Sequence, residues 1–146
     1  GAVTPKSDIV RKHWGGEWRM PTFDEFRELV NKCQWRVVNE YGHHPCFVVT
    51  GPNGNSIVIN CTGYRYLGKH YEALYVGYYW TSTYGSNPND DRAYYFSISV
   101  DNYRFGEITP IYGFAIRPVL PRSLPKISTR LAPKSHKDQE PSQTLP

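Results

Sequence analysis

The chain has no C-x-x-C pair, and no cysteine at all follows Cys61. Its three cysteines, Cys33, Cys46 and Cys61, therefore do not spell a zinc knuckle or a thioredoxin-like motif. One disulfide plus a free thiol would suit an exported protein; three reduced thiols packed as small hydrophobes fit equally well. No apolar run approaches transmembrane length and no signal-peptide pattern is visible, so no membrane span is expected. The opening Gly1-Ala2-Val3-Thr4-Pro5 reads as a trimmed or excised segment. Basic charge is sparse where it would matter for nucleic acid. Of a net +4, residues 122–146 hold five Lys/Arg against two Asp/Glu, which leaves the rest near neutrality. Nucleic acid is not an expected partner. Residues 120–146 contain no aromatic side chain, and no internal repeat is present.

What the chain does have is rings and turns. Its 146 residues suit one domain, 15% of them aromatic and only 39% hydrophobic. Twelve glycines and twelve prolines favour short strands and long loops. Between residues 78 and 112, Tyr, Asn, Asp and Ser fill 17 of 35 positions, seven of them tyrosine. Tyrosine offers broad contact at low entropic cost and the short polar residues offer adaptable hydrogen bonds, so this composition suits a recognition surface.

Residues 1–13 read as an extended, polar lead-in. Thr22-Phe23-Asp24-Glu25 is a capping box, and Phe26, Leu29, Val30 and Cys33 follow on one helical face, which predicts a helix over 22–33. Strands are predicted over 35–39, 46–50, 56–60, 78–82, 93–99, 103–107 and 113–119. Gly51-Pro52-Asn53-Gly54-Asn55 makes a hairpin of the second and third. Residues 41–45 read as a turn and 62–73 as irregular. Alternation in 93–100 puts Tyr95, Ser97 and Ser99 on one face and Tyr94, Phe96 and Ile98 on the other, so one of Tyr94 and Tyr95 should be exposed. After residue 119 the chain turns proline-rich and basic, a flexible or docking tail over 120–146. One helix, several short antiparallel strands and much loop make an α+β domain over 14–119.

Five phrases in order carry a resemblance. They are Trp14-Gly15-Gly16-Glu17-Trp18-Arg19-Met20-Pro21-Thr22, Val49-Thr50-Gly51-Pro52-Asn53-Gly54-Asn55-Ser56-Ile57, Gly63-Tyr64-Arg65, Tyr79-Trp80-Thr81-Ser82-Thr83 and Gly113-Phe114-Ala115-Ile116-Arg117-Pro118-Val119. Residues 14–119 resemble the Fibrobacter/Bacteroidetes-type major paralogous domain, in the formylglycine-generating-enzyme-like branch of the C-type lectin fold. The resemblance implies a C-type-lectin-like α+β fold, ligand binding or adhesion, and an exported, cell-surface or phage/pilus-associated setting. A narrower resemblance is to the variable proteins of diversity-generating retroelements, in which adenine-directed mutagenesis scatters Tyr, Asn, Asp and Ser over a fixed scaffold. It implies ligand contact by Tyr84, Ser86, Asn87, Asn89, Asp90, Asp91, Tyr94, Tyr95, Ser97, Asp101, Asn102, Tyr103, Arg104 and Tyr112. Members of the family usually carry an upstream strand that pairs with the last one, and this chain begins after it; a proline-rich basic tail is also unusual for them.

The expected partner is thus a protein or glycan ligand, held on a tyrosine-rich face built by 78–112. A second expectation is a structural or tip subunit of a bacterial surface assembly, completed by a partner strand. An enzyme is not expected. Formylglycine-generating oxidases use a late cysteine pair with copper, and the late half here has no thiol. His70 and Ser82 form no recognisable nucleophile–base spacing. No cofactor and no metal is expected: His43-His44-x-Cys46 lacks a second ligand cluster, and the oxygen-rich 86–91 loop departs from calcium-lectin spacing. Trp14, Trp18, Trp35 and Trp80 are expected in the core. Arg19 and Arg117 are expected to brace carbonyls or carboxylates such as Glu25 or Glu28.

Overall fold

A computed structural model describes residues 1–38 and 45–121. The 41–44 part of the predicted turn, His43 and His44, Asn39, and residues 122–146 of the tail lie outside the described residues.

The chain opens with Ala2 bridged to Thr83 and enters helix α1, Ile9–Trp14. So the lead-in is not extended throughout. A buried carboxylate makes the short helix possible: Asp8 Oδ1 accepts the Val10 and Arg11 N–H groups at 2.9 and 3.2 Å, and Oδ2 accepts that of Met20 at 2.9 Å. One side chain thus caps α1 and anchors the end of the tryptophan-glycine loop. Helix α2, Phe23–Lys32, begins at the predicted capping box, with Thr22 Oγ1 accepting Glu25 N–H and the Glu25 carboxylate accepting Thr22 N–H.

Strands β1 (Gln34–Val38), β2 (Cys46–Thr50) and β3 (Ser56–Asn60) form an antiparallel sheet. The Gly51–Asn55 turn pairs Thr50 with Ser56, in the hairpin expected. A second antiparallel sheet joins β6 (Gly77–Tyr84), β7 (Ala93–Ile98) and β8 (Tyr103–Ile108), with an irregular register in β6 between Trp80 and Tyr84. Between the sheets in sequence lies a small hairpin, β4 (Tyr64–Tyr66) and β5 (Lys69–Tyr71).

The core lies where α2 and the two sheets meet. Phe26 stacks on Phe96 at 4.9 Å, and Phe47, Val49, Ile59, Cys61 and Tyr79 close around them. Burying a ring of this size contributes about 1.5–3 kcal/mol. Tyr79 also ties β6 to β3: its hydroxyl donates to Asn60 O at 2.7 Å and accepts Asn60 N–H at 3.0 Å.

The α+β, C-type-lectin-like expectation is overturned. Eight antiparallel strands stand against two helices of 6 and 10 residues, so the described chain is a β-rich fold. The physical reason is that a helical period exists only over 22–33. Helix α1 depends on its cap and stops at Gly15, whose φ is 71°. The segment read as irregular adds the β4–β5 hairpin. Residues 113–119 do not form a continuous strand. Gly113, Ala115 and Val119 make single bridges to Arg65, Tyr79 and Arg19, each on a different neighbour.

Candidate ligand-binding site

A groove of about 880 Å³ draws on the tyrosine-rich segment. Trp80, Met20 and Ile116 line it, and the end of β6 and the loop that follows form its rim through Tyr84, Ser86, Pro88, Asp90 and Asp91. Val3 and Ile9 complete the lining. They are held there by the first residues pairing on the end of β6: Val3 N–H donates to Ser82 O at 2.7 Å, and Tyr84 N–H donates to Gly1 O at 3.0 Å.

The rim loop is fixed by its own polar groups. Gly85 N–H donates to Arg92 O at 2.7 Å and closes the loop at its base. Asn87 Oδ1 accepts Asn89 N–H at 3.0 Å and Asp90 Oδ1 accepts Arg92 N–H at 3.1 Å, two short Asx turns. From β8, Glu107 Oε2 accepts both the N–H and the hydroxyl of Ser86 at 3.1 Å. Hydrogen bonding from the Tyr94 hydroxyl first, and then from Ser86, holds the Glu107 carboxyl below the usual carboxylate range. The same contact raises the Tyr94 phenol. Asp90 lies 3.5 Å from Arg92 Nε, whereas Asp91 makes no ion pair among the described residues.

A second concavity, of about 210 Å³, lies on the outer side of the β6–β8 sheet among Tyr64, Tyr78, Tyr95, Tyr112, Phe114, Ile108 and Glu72. Tyr64 stacks on Tyr71 at 5.3 Å, Tyr66 on Tyr112 at 4.9 Å, and Tyr78 on Phe114 at 5.0 Å. Tyr95 fits because β8 has Gly106 beneath it. A Cβ there would sit 2.7 Å from the Tyr95 hydroxyl oxygen and 2.8 Å from two of its ring carbons.

The residues expected to bind ligand therefore do not share one face. Tyr84, Ser86, Asp90 and Asp91 converge on the groove, with Asn87 and Asn89 exposed in the same loop. Tyr95 and Tyr112 belong to the aromatic concavity. Asp101, Asn102, Tyr103 and Arg104 are exposed around the β7–β8 turn. Tyr94 lies on the α2 side, 4.6 Å from the Phe23 ring, and Ser97 is buried with its hydroxyl 3.5 Å from Arg104 O. The alternation of β7 holds, but neither Tyr94 nor Tyr95 is exposed; each is half-buried because rings cover both sides of the sheet.

Trp14 is exposed, edge-on to Trp18 at 5.2 Å, because α1 ends before the chain turns inward. Trp18, Trp35 and Trp80 are half-buried. Arg19 pairs with Glu25, and Arg117 donates to Val58 O at 3.2 Å, so both arginines brace. Ser82 is buried, while His70 is exposed with Nε2 2.7 Å from Thr62 O. Cys33, Cys46 and Cys61 are all free thiols, and burial is the main cause that raises the Cys61 thiol.

Sequence reasoning missed Tyr64, Tyr66 and Glu72, and also the Val3–Ile9 wall. The Tyr64-x-Tyr66 alternation was a visible strand signal. The turn that pairs β4 with β5 was not, because Leu67 and Gly68, with φ of 48° and 76°, take the place of the usual Asn-Gly.

Among the described residues no three His, Cys, Asp or Glu side chains converge as a metal site, and no helix is long and apolar enough to cross a membrane. No family model matches the chain, and neither does any curated protein or solved structure.

Proposed function

We propose that this chain is a ligand-binding domain that takes a protein or glycan in the groove under the 84–91 loop. One observation carries the reading: Tyr84, Ser86, Asp90 and Asp91 converge around an apolar wall containing Trp80 and Met20. A wall of this kind covers an apolar side chain or a sugar face, and the rim supplies hydrogen bonds that fix orientation. Because the loop is already tied by Glu107 and by its Asx turns, little ordering entropy opposes binding. A bacterial-surface setting is supported by the five-phrase resemblance alone.

The test is capture on glycan arrays and displayed-protein libraries by the wild type, Tyr84→Ala and Asp91→Ala. Both residues are exposed, so capture should fall at least about tenfold while the melting temperature holds. Equal capture by both variants would sink the groove as the site. Diversification has its own test: a near-copy of the codons for 78–119 that differs only at adenines, beside a reverse transcriptase gene. If that copy exists, its differences should fall on the codons for Tyr84, Ser86, Asp90 and Asp91.

A structural subunit completed by a partner strand is the second reading, and β8 favours it. Tyr103–Ile108 pairs only with β7, which leaves its outer edge without a backbone partner among the described residues. That reading requires concentration-dependent self-association or strand capture, visible by light scattering.

A further inference from the structure

We propose that the pocket between Tyr64, Tyr78, Tyr95, Tyr112 and Phe114 binds a quaternary ammonium head group. The site is separate from the groove under the 84–91 loop and does not depend on it. Five rings and Ile108 line a space of about 210 Å³, with one carboxylate, Glu72, beside them. Neighbouring rings meet at right angles as well as in stacks: Tyr64 is edge-on to Tyr78 at 5.2 Å and to Tyr112 at 5.8 Å. The face of an aromatic ring carries negative charge density and attracts a cation.

Glu72 adds a carboxylate to the lining. Its carboxylate accepts the Tyr78 hydroxyl at 2.6 Å, and it makes no ion pair among the described residues. The backbone holds it there in an uncommon conformation, with φ of 50° at Glu72 and 75° at Leu74. Burial first, and then the Glu72 hydrogen bond, raise the Tyr78 phenol; burial and the Glu72 charge also raise that of Tyr64.

The lining selects the kind of cation. A primary ammonium brings three N–H donors that must keep partners when they leave water. Here one Glu72 oxygen is already taken by Tyr78, and apart from the other the acceptors in the lining are phenol oxygens, which accept more weakly than water because the ring draws on their lone pairs. A trimethylammonium group has no N–H to satisfy and spreads its charge over methyl groups that pack on rings, so it loses least on entry.

The experiment is calorimetric titration of the full chain with choline, with its neutral carbon isostere, and with a trimethyllysine peptide beside its unmethylated form. Choline should bind at least about fivefold more tightly than the isostere, whose shape is the same without the charge. Tighter binding of the trimethyllysine peptide than of choline would identify a modified protein as the source; the reverse would identify a small molecule. Glu72→Gln, an exposed change that keeps the side-chain shape, should weaken choline several-fold. Tyr112→Ala should abolish the binding, whereas Tyr84→Ala in the other site should leave it unchanged. Equal affinity for choline and isostere, or no binding of either cation by folded protein, overturns the proposal.

Discussion

The Arg19 guanidinium grips Glu25 with both terminal nitrogens, at 2.9 and 2.6 Å, while the same carboxylate accepts Thr22 N–H at 2.8 Å. One side chain therefore completes the α2 cap and fastens it to the tryptophan-glycine loop. Arg19 is also the backbone partner of Val119, so the pair links the start of α2 to the last described bridge. The hydrogen bonds from Arg19 are the largest cause holding the Glu25 carboxyl below its ordinary value.

A folded-state value depressed in this way adds stability above the unfolded value of about 4.3 and loses it as pH falls through the folded value. Both side chains are partly exposed, so the ion pair is worth on the order of 1 kcal/mol. Glu25→Ala, which also breaks the capping box, should cost about 1–2 kcal/mol in urea unfolding at neutral pH, with the difference shrinking in acid. Glu28→Ala, whose exposed partner is Lys32, should stay within about 0.5 kcal/mol. Equal losses for the two variants would remove Arg19–Glu25 as a structural contact of note.

Asp8 gives a second stability test. Replacing it with alanine strands the Val10, Arg11 and Met20 N–H groups, of which the first and last sit at buried residues. The expected loss is about 1–3 kcal/mol, with Asp8→Asn losing less because an amide oxygen still accepts. An alanine variant as stable as the asparagine one would show that these bonds matter little.

Gly63 and Gly68 separate backbone conformation from space. Both have positive φ, 63° and 76°. A Cβ on Gly63 would strike the Tyr71 carbonyl and lie 2.6 Å from Ala73 N, whereas one on Gly68 meets nothing within 4 Å. Gly68→Ala should cost about 1 kcal/mol and Gly63→Ala more than about 3 kcal/mol, enough to spoil the β4–β5 hairpin. Similar melting temperatures for the two variants would contradict this.

Alkaline titration reads the aromatic clusters. The phenols of Tyr64, Tyr78, Tyr79 and Tyr94 all ionise above the ordinary tyrosine value of 10.0, with burial the leading cause for the first three and the Glu107 contact for Tyr94. The stability they add is complete below about pH 10 and disappears as pH rises through their folded values. Ultraviolet titration of tyrosinate should show a late phase coincident with unfolding, and Tyr78→Phe should take one group out of it. A single unshifted phase from folded protein would refute the buried arrangement.

The α2 capping box, the Gly51–Asn55 hairpin and the β6–β8 run were legible because each is written in neighbouring residues: a cap and its 3.6-residue period, a turn pair, an alternating strand. The class of the fold was not. It depends on how much of the remaining chain joins sheets, and Leu67-Gly68 conceals a turn that only backbone angles reveal. The site was half legible. Composition marked the 84–91 rim, but periodicity cannot tell that Phe23 covers Tyr94 or that Val3 and Ile9 line the groove. Those contacts join residues far apart in sequence, where local patterns carry no information.

The free edge of β6 is occupied by segments from distant parts of the chain: Gly1 and Val3 at one end, Pro21 at Ser82, and Ala115 along Tyr78 and Trp80. During synthesis the early segments are ready long before β6 exists, and Ala115 is the last of these segments to be made. Until residue 115 has left the ribosome, a strand rich in aromatic side chains keeps unpaired N–H and C=O groups open to other chains. Such remote pairings pay loop-closure entropy before they return any stability, so folding should fall on the slow, millisecond-to-second side for domains of this size. A nascent chain stalled before residue 115 should be the species most prone to aggregation and most in need of a chaperone.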